Sequence, residues 1–335
     1  MLALIMMAAA AASGPKLGDL HTFKDWIVGC DNTASCQANA LMPENADGDD
    51  PLMPQVSRDG DANAPALLWL DAPDKTPPGT RLTLSIDGKP VATVVTGKDW
   101  LIKLPLTRAQ LHALDAGKRV EFGGRSATLA GLSAAMLYID DRQHRTGTIG
   151  ALKAVGPRPD STVPAPPAAP VIHTAAADPR PPRTLSVAQA TRLIGPDAVN
   201  CPAADHDGKV EPAAYRLDAG HSLVLVPLPC GNGAYNYYTN VYVLDEAGHA
   251  QPAKFDFTPG FGEADDPSPS LTNGDWDPQT RRLSSYEKGR GLGDCGATEA
   301  YAWDGSRFRL TEATMMNECR GSNDFITVWT ARTAP

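Results

Sequence analysis

The stretch RLTLSIDGKPVATVVT, residues 81–96, decides the fold class. Arg81 to Ile86 alternates polar with apolar side chains, Asp87-Gly88 supplies the positive dihedrals of a tight turn, and Val91 to Thr96 returns rich in β-branched residues. That is an antiparallel hairpin, and the same grammar extends both ways. Upstream, Phe23 to Gly29 and Gln37 to Leu41 read as strands flanking Cys30 and Cys36. Downstream, Trp100 to Leu104 reads as a strand, followed by a helix from Thr107, where Gln110 completes a capping box and Gly117 ends the run. A second helix is expected over Ser133 to Asp141, and a closing strand over Thr148 to Val155. Farther on, Ser186 and Gln189 repeat the capping box, with Gly195 as terminator. Strands are then expected at Ala213 to Leu217, Ser222 to Pro227, Tyr238 to Leu244, Ala253 to Phe257, Arg282 to Glu287, Ala297 to Trp303, Arg307 to Thr311 and Ile326 to Ala331. Asp218-Ala219-Gly220, Glu246-Ala247-Gly248 and Asp304-Gly305 supply turns between them. No long helix alternates with these strands, so a parallel nucleotide-binding sheet is excluded and a mostly antiparallel β protein is expected.

Between the two runs of strands the composition changes. Residues 155–183 carry nine prolines, at 157, 159, 164, 166, 167, 170, 179, 181 and 182. Proline lacks the ladder N–H and fixes its own φ, so this stretch reads as a semi-extended spacer that joins neither sheet nor helix. It divides the 335 residues into a sandwich-like amino-terminal β domain over 18–154 and a β-meander carboxyl-terminal domain over 184–335.

Residues 1–13 read as an export signal. Leu2 to Ala12 is an unbroken apolar and small-residue run, too short to span a bilayer, followed by the helix-breaking Ser13-Gly14-Pro15. Its flank is atypical, because no Lys or Arg precedes Lys16. The expected location is therefore periplasmic, with no transmembrane segment in the mature chain. The six cysteines agree with an oxidising compartment: Cys30, Cys36, Cys201, Cys230, Cys295 and Cys319 contain no C-x-x-C pair of the zinc-ribbon kind. Six cysteines permit 15 connectivities. Sequential pairing, Cys30 with Cys36, Cys201 with Cys230 and Cys295 with Cys319, keeps each bridge inside one expected domain. Thirty basic against thirty-nine acidic residues, a net charge of −9, exclude a general phosphate-binding surface, so no nucleic-acid partner is expected.

Candidate chemistry is sparse. Gly291 to Gly296 spells G-x-G-x-x-G, but a strand rather than a helix follows it, so it reads as a tight loop beside a disulfide. Asp205-His206-Asp207 opens like a calcium loop and fails at Lys209. Asp47, Asp49, Asp50 and the acids between 263 and 277 suit solvated loops, and no metal or other cofactor is expected. No nucleophile elbow or metalloprotease helix is present, so no catalytic residue is assigned. Asp140, Asp141 and His144 fall within about one helical turn and could approach one another as an acid and base set, although Arg142 and Arg145 beside them favour local ion pairs. Tyr235, Tyr237, Tyr238 and Tyr242 cluster behind Cys230 and offer rigid, amphipathic contact area.

Several strings carry a resemblance. Phe23 to Asn32 followed by Cys36, then Leu132 to Leu137, Asp140-Asp141-Arg142-Gln143 and Arg145-Thr146-Gly147-Thr148, then Gly291 to Gly296, Trp303-Asp304-Gly305, Phe308-Arg309-Leu310 and Glu318 to Ser322 together resemble a bacterial family of exported proteins, domain of unknown function 1176. The first domain also faintly resembles invasion-associated locus B proteins through the W-x-x-x-C pattern of Trp26 to Cys30. Membership implies an envelope location and no established reaction.

These readings combine into an exported, periplasmic, non-catalytic binding or envelope-associated module that engages a cell-wall enzyme or another envelope protein, or a glycan. The candidate binding surface is Tyr235, Tyr237, Arg290, Asp294 and Arg320. Two alternatives stand beside it: an envelope hydrolase using Asp140, Asp141 and His144 or the acids from 263 to 277, and a structural or stress-protective envelope protein.

Overall fold

The strands of the amino-terminal half begin at β1 (Leu20–Phe23) and β2 (Trp26–Cys30). Lys24, at φ 55°, turns the chain between them, so the expected single strand from Phe23 is two antiparallel ones. β3 (Cys36–Ala40), β4 (Gln55–Arg58) and β5 (Leu67–Asp71) follow. The hairpin of residues 81–96 is β6 (Arg81–Ile86) and β7 (Lys89–Val95), turning at Asp87 and Gly88, both at positive φ. β8 (Leu101–Pro105), α1 (Arg108–Ala116), β9 (Arg119–Phe122), β10 (Arg125–Thr128) and α2 (Leu132–Arg142) complete this half. A six-stranded antiparallel sheet in the order β1-β2-β3-β4-β5-β8 and a four-stranded sheet β10-β9-β6-β7 share one core with the helices, centred on Trp26, Leu68, Leu84, Phe122, Met136 and Ile139. These details come from a computed structural model, which describes residues 14–44, 51–196, 209–261 and 269–335.

Position 131 accepts only glycine. Gly131 opens α2 at φ 105°, and a Cβ there would lie 1.6 Å from the Phe23 carbonyl oxygen, which lets the helix lie directly against the β1–β2 turn. The capping boxes expected at Thr107 and Ser186 are both present, each with reciprocal bonds to Gln110 and Gln189.

The proline-rich stretch is extended over much of its length, but it makes one 3-10 turn at Asp160–Thr162 and it does join a sheet. β11 (Val171–His173) pairs in parallel with the last strand of the chain, Arg332–Ala334. Val171-Ile172-His173 is free of proline, so its backbone keeps its ladder groups, and Ile172 is buried. Farther along, the Ala175 N–H donates to the Trp303 carbonyl, 3.0 Å. At the other end, the Asp160 carboxylate accepts the Gly150 N–H at 2.8 Å, and Thr148 bridges to Arg158.

After α3 (Val187–Ile194), the strands β12 (Ala213–Arg216), β13 (His221–Pro227), β14 (Tyr238–Asp245), β15 (Ala250–Pro252) and β16 (Ser270–Thr272) make one antiparallel sheet. A second runs β17 (Asp275–Asp277), β18 (Arg282–Lys288), β19 (Gly296–Trp303), β20 (Phe308–Met316) and β21 (Ile326–Thr330), and β22 (Arg332–Ala334) ends the chain. Their shared core holds Leu223, Val241, Leu271, Leu283, Tyr301, Phe308 and Val328. Residues 253–257 form no continuous strand, only a bridge from Phe255 to Phe308. The G-x-G-x-x-G segment is a loop with Gly293 at φ 69°, and its last glycine, Gly296 at φ 136°, begins β19.

Two of the expected disulfides, Cys30–Cys36 and Cys295–Cys319, are present. Cys230 is also bonded, while the pairing expected with Cys201 lies outside the described residues, as do the calcium-like segment at His206, the acids Asp47, Asp49 and Asp50, and the acidic residues 263–266. Among the described residues, no helix is long and apolar enough to cross a membrane, and no cluster of His, Cys, Asp and Glu is arranged to hold a metal ion.

Candidate functional site

The outer face of the six-stranded sheet carries a polar row. Because strand side chains alternate, Val56, Leu68 and Leu70 point into the core while Gln55, Ser57 and Trp69 face away from it. Register places Asn39 opposite Gln55, Gln55 opposite Trp69, and Trp69 opposite Lys103. The row is tied together: Gln37 Nε2 donates to Asn39 Oδ1 (2.9 Å) and Gln55 Oε1 (3.3 Å), and the Trp69 indole N–H donates to Ser57 Oγ (2.7 Å). Lys103 Nζ lies 4.1 Å from the centre of the Trp69 ring.

A second row faces it from the carboxyl-terminal sheet. Tyr286 on β18 is opposite Thr298 on β19, which is opposite Thr314 on β20. The two threonine hydroxyls are 2.7 Å apart, and the Tyr286 hydroxyl donates to the Gly293 carbonyl at 3.0 Å. Burial pushes that phenol's pKa up. Asn323, Asp324 and Phe325, leading into β21, join the two rows, with Phe325 edge-on to Tyr286 and the Asn39 amide donating to the Asp324 carbonyl.

The space between the rows is a groove of two adjoining cavities that share Gln55, Trp69, Leu101, Asn323 and Asp324. One, of about 420 Å³, reaches Tyr286, Thr298 and Thr314; the other, of about 320 Å³, reaches Trp100, Asp71 and Arg125. Trp100 is 66% exposed at that end. Asp71 and Arg125 neutralise each other at 2.6 Å. Partial desolvation, reinforced by the charge of Asp71 and opposed by a hydrogen bond from Gln55, raises the pKa of the Asp324 carboxyl. The groove thus offers amides, hydroxyls and aromatic faces, with little net charge.

None of the five candidate residues read from the sequence lines either cavity. Tyr235 packs by Gly291, and Asn273 binds the Tyr235 and Tyr286 carbonyls (3.1 and 2.9 Å) and accepts the Tyr237 N–H. Arg290 and Asp294 form a bidentate pair that holds the Asp294 carboxyl below the usual carboxylate range, and the same carboxylate accepts the Gly321 N–H at 2.7 Å. Arg320 turns away from this loop. Its guanidinium donates to the Met42 carbonyl (2.7 Å), the Lys24 carbonyl (2.8 Å) and the Asp25 carboxylate (2.6 Å), fastening the two halves of the chain. Asp294 and Arg320 are therefore occupied internally, while Tyr237 and Arg290 keep exposed surface.

The acid and His grouping separates. Asp140 is fully buried and accepts the N–H groups of Leu152, Lys153 and Ala154 at 2.6–2.8 Å. Those amides are thereby withheld from the strand expected over 148–155. Gln143 and the buried Arg145 likewise clamp loop carbonyls, those of Ala34, Arg58 and Ala62 among them. Asp141 and His144 instead line a cleft of about 470 Å³ under Pro164 to Pro167, and no hydrogen bond joins their side chains. Of the acids between 263 and 277 that are described, Asp277 serves a turn, accepting from Gln279 and Thr280.

Sequence reading missed Trp69, Gln55, Tyr286, Thr298 and Asp324. Only Trp100, in the polar run Gly97-Lys98-Asp99, carried a local sign as a large aromatic beside a turn; the others become neighbours through sheet register alone.

The model of a protein family described as "Protein of unknown function (DUF1176)" matches residues 20–332. The chain is 27% identical over 337 residues to the "Uncharacterized protein YpfG" of Escherichia coli strain K12, with 93% of each chain covered. Among solved structures it is similar to invasion associated protein B from Bartonella henselae at 16% identity and a TM-score of 0.30, covering 37% of this chain and 98% of that one.

Proposed function

The chain belongs to the DUF1176 family, and on that premise we propose that it is an exported, periplasmic, non-catalytic binding module whose contact surface is the groove between the two sheets and whose partner is an envelope glycan or a cell-wall protein. Export is supported by the apolar run at 2–12 and by disulfides that an oxidising compartment preserves. The observation that carries the binding role is the groove itself. Gln37, Asn39, Gln55, Ser57, Trp69, Thr298 and Thr314 are already hydrogen-bonded among themselves, so they are held in place before a ligand arrives and lose little entropy on binding. The nearest carboxylates are paired or hydrogen-bonded, as a scaffold for recognition requires.

The test is capture in the cell. With a photo-crosslinking phenylalanine in place of Trp100, illumination is expected to give an adduct with an envelope component. The same group in place of the exposed Val187, on α3, is expected to give none. Osmotic-shock release of a chain whose mature amino terminus lies near Ala12 or Ser13 is the companion result. A protein retained in the cytoplasm, or equal capture at both positions, overturns the proposal.

A further inference from the structure

We propose that the groove takes an uncharged, linear saccharide chain, with sugar rings set against Trp100 and Trp69 and their hydroxyls read by Gln55, Asn323, Thr298 and Thr314. This rests on the groove being the binding surface and adds the chemical class of its ligand. A pyranose has two apolar C–H faces and an equatorial rim of hydroxyls. It therefore needs a flat amphipathic platform flanked by groups that both donate and accept. The groove has that division. Trp100 is two-thirds exposed, Trp69 lies between the two cavities, and every other polar group named is an amide or a hydroxyl with bonding capacity beyond its present partner.

The competing ligand classes each lack a required feature. An anionic polymer or phosphate needs a cluster of unpaired Lys or Arg; the one guanidinium lining the groove, that of Arg125, is paired with Asp71, and the Lys103 ammonium beside it lies over the Trp69 ring. A cation needs several convergent carboxylates, and the lining carboxylates are Asp71, so paired, and Asp324, whose charge is disfavoured by desolvation. An extended peptide gains most of its affinity by pairing with a free strand edge. The groove walls are sheet faces, with the backbone of β4, β5, β18, β19 and β20 already paired on its ladders. The two cavities, about 320 and 420 Å³, are each of small-ligand size and share five lining residues, which suits a chain of a few sugars.

The experiment titrates the purified full chain with uncharged tetrasaccharides of β1,4-glucose, β1,4-N-acetylglucosamine, α1,4-glucose and β1,3-glucose, and with an oligogalacturonate as the anionic control. Tryptophan fluorescence and calorimetry report binding. At least one neutral tetrasaccharide is expected to saturate with a Kd of about 1 mM or tighter. Raising salt from about 0.05 to about 0.5 M should change that Kd less than about twofold, because no ion pair forms. Trp100→Ala, a change at an exposed position, should weaken binding by about tenfold or more. Trp69→Phe, which keeps a ring and the packing, should retain most of it. Saturation by none of the neutral chains, preference for the oligogalacturonate, or affinity unchanged in Trp100→Ala overturns the saccharide assignment. Crosslinking at position 100 separates the two claims: capture of a protein there with no saccharide binding leaves the groove as the binding surface and removes only its ligand class.

Discussion

Glu299 shows how one residue can set the acid and base behaviour of this protein. It lies on β19, 2% exposed, with Gly260 N–H donating to Oε1 at 3.0 Å and Ser285 as a second donor. Burial, with a smaller contribution from the charge of Glu287, raises its pKa from 4.5 to about 7, against the lowering effect of those two hydrogen bonds. The folded state thus holds a proton that the unfolded state releases at lower pH. The stability this group contributes is fully present below pH 4.5 and is lost as pH rises toward about 7, by roughly 3 kcal/mol in total. Urea denaturation at pH 4.5 and pH 8 should therefore show Glu299→Gln losing less stability over that interval than the wild type, by about that amount. Identical pH dependence in the two proteins would show that Glu299 ionises at an ordinary pKa. Nothing in the local sequence GATEAYAW announces this carboxyl, since its burial depends on Ser285 across the ladder and on the turn at Gly260.

At the scale of elements, the sequence was legible wherever the signal is local. The 81–96 hairpin, both capping boxes and the loop at Gly291 to Gly296 depend on dihedral preference and bonds within a few residues, and they stand where they were read. The strands Gln55–Arg58 and Leu67–Asp71 were not legible, because four or five residues among prolines and acids become strands only when β3 and β8 lie alongside. The groove's first wall was hidden with them. The proline stretch was half legible: proline content accounts for its extended parts but not for the 3-10 turn at Asp160–Thr162, and its partner strand is 161 residues farther along at every pair of the register, Val171 to Arg332 through His173 to Ala334. It behaves as a strap held by the chain's last strand. Deleting residues 332–335 should therefore speed tryptic cleavage after Arg183 while cleavage after Lys98, in an exposed loop of the first half, stays unchanged. Equal rates at both sites in the two proteins would mean that β22 does not hold the strap.

At the scale of the whole molecule, the two halves meet through more than a linker. Ile27 and Leu41 of the first half form one buried cluster with Met316 and Ile326 of the second, and Cys295 completes it. The Gly18 N–H donates to the Val328 carbonyl, and the Asn32 side chain exchanges bonds with both the N–H and the carbonyl of Thr330. Arg320 adds three contacts to residues 24–42, one of them the carboxylate of Asp25, with both charged groups mostly buried. The groove needs this junction, because one wall comes from each side and Asn323 to Phe325 close it only a few residues after Arg320. Burial and pairing of this kind couple the folding of the two halves, so the wild type should unfold in one calorimetric transition despite its length. Arg320→Ala leaves Asp25 and two carbonyls without their donor and should cost about 3 kcal/mol. It should also weaken whatever the groove binds, while Arg290→Ala, which disturbs only the neighbouring loop, should leave the transition single. Two resolved transitions in the wild type would instead mean that the halves fold independently and that the groove is free to open and close between them.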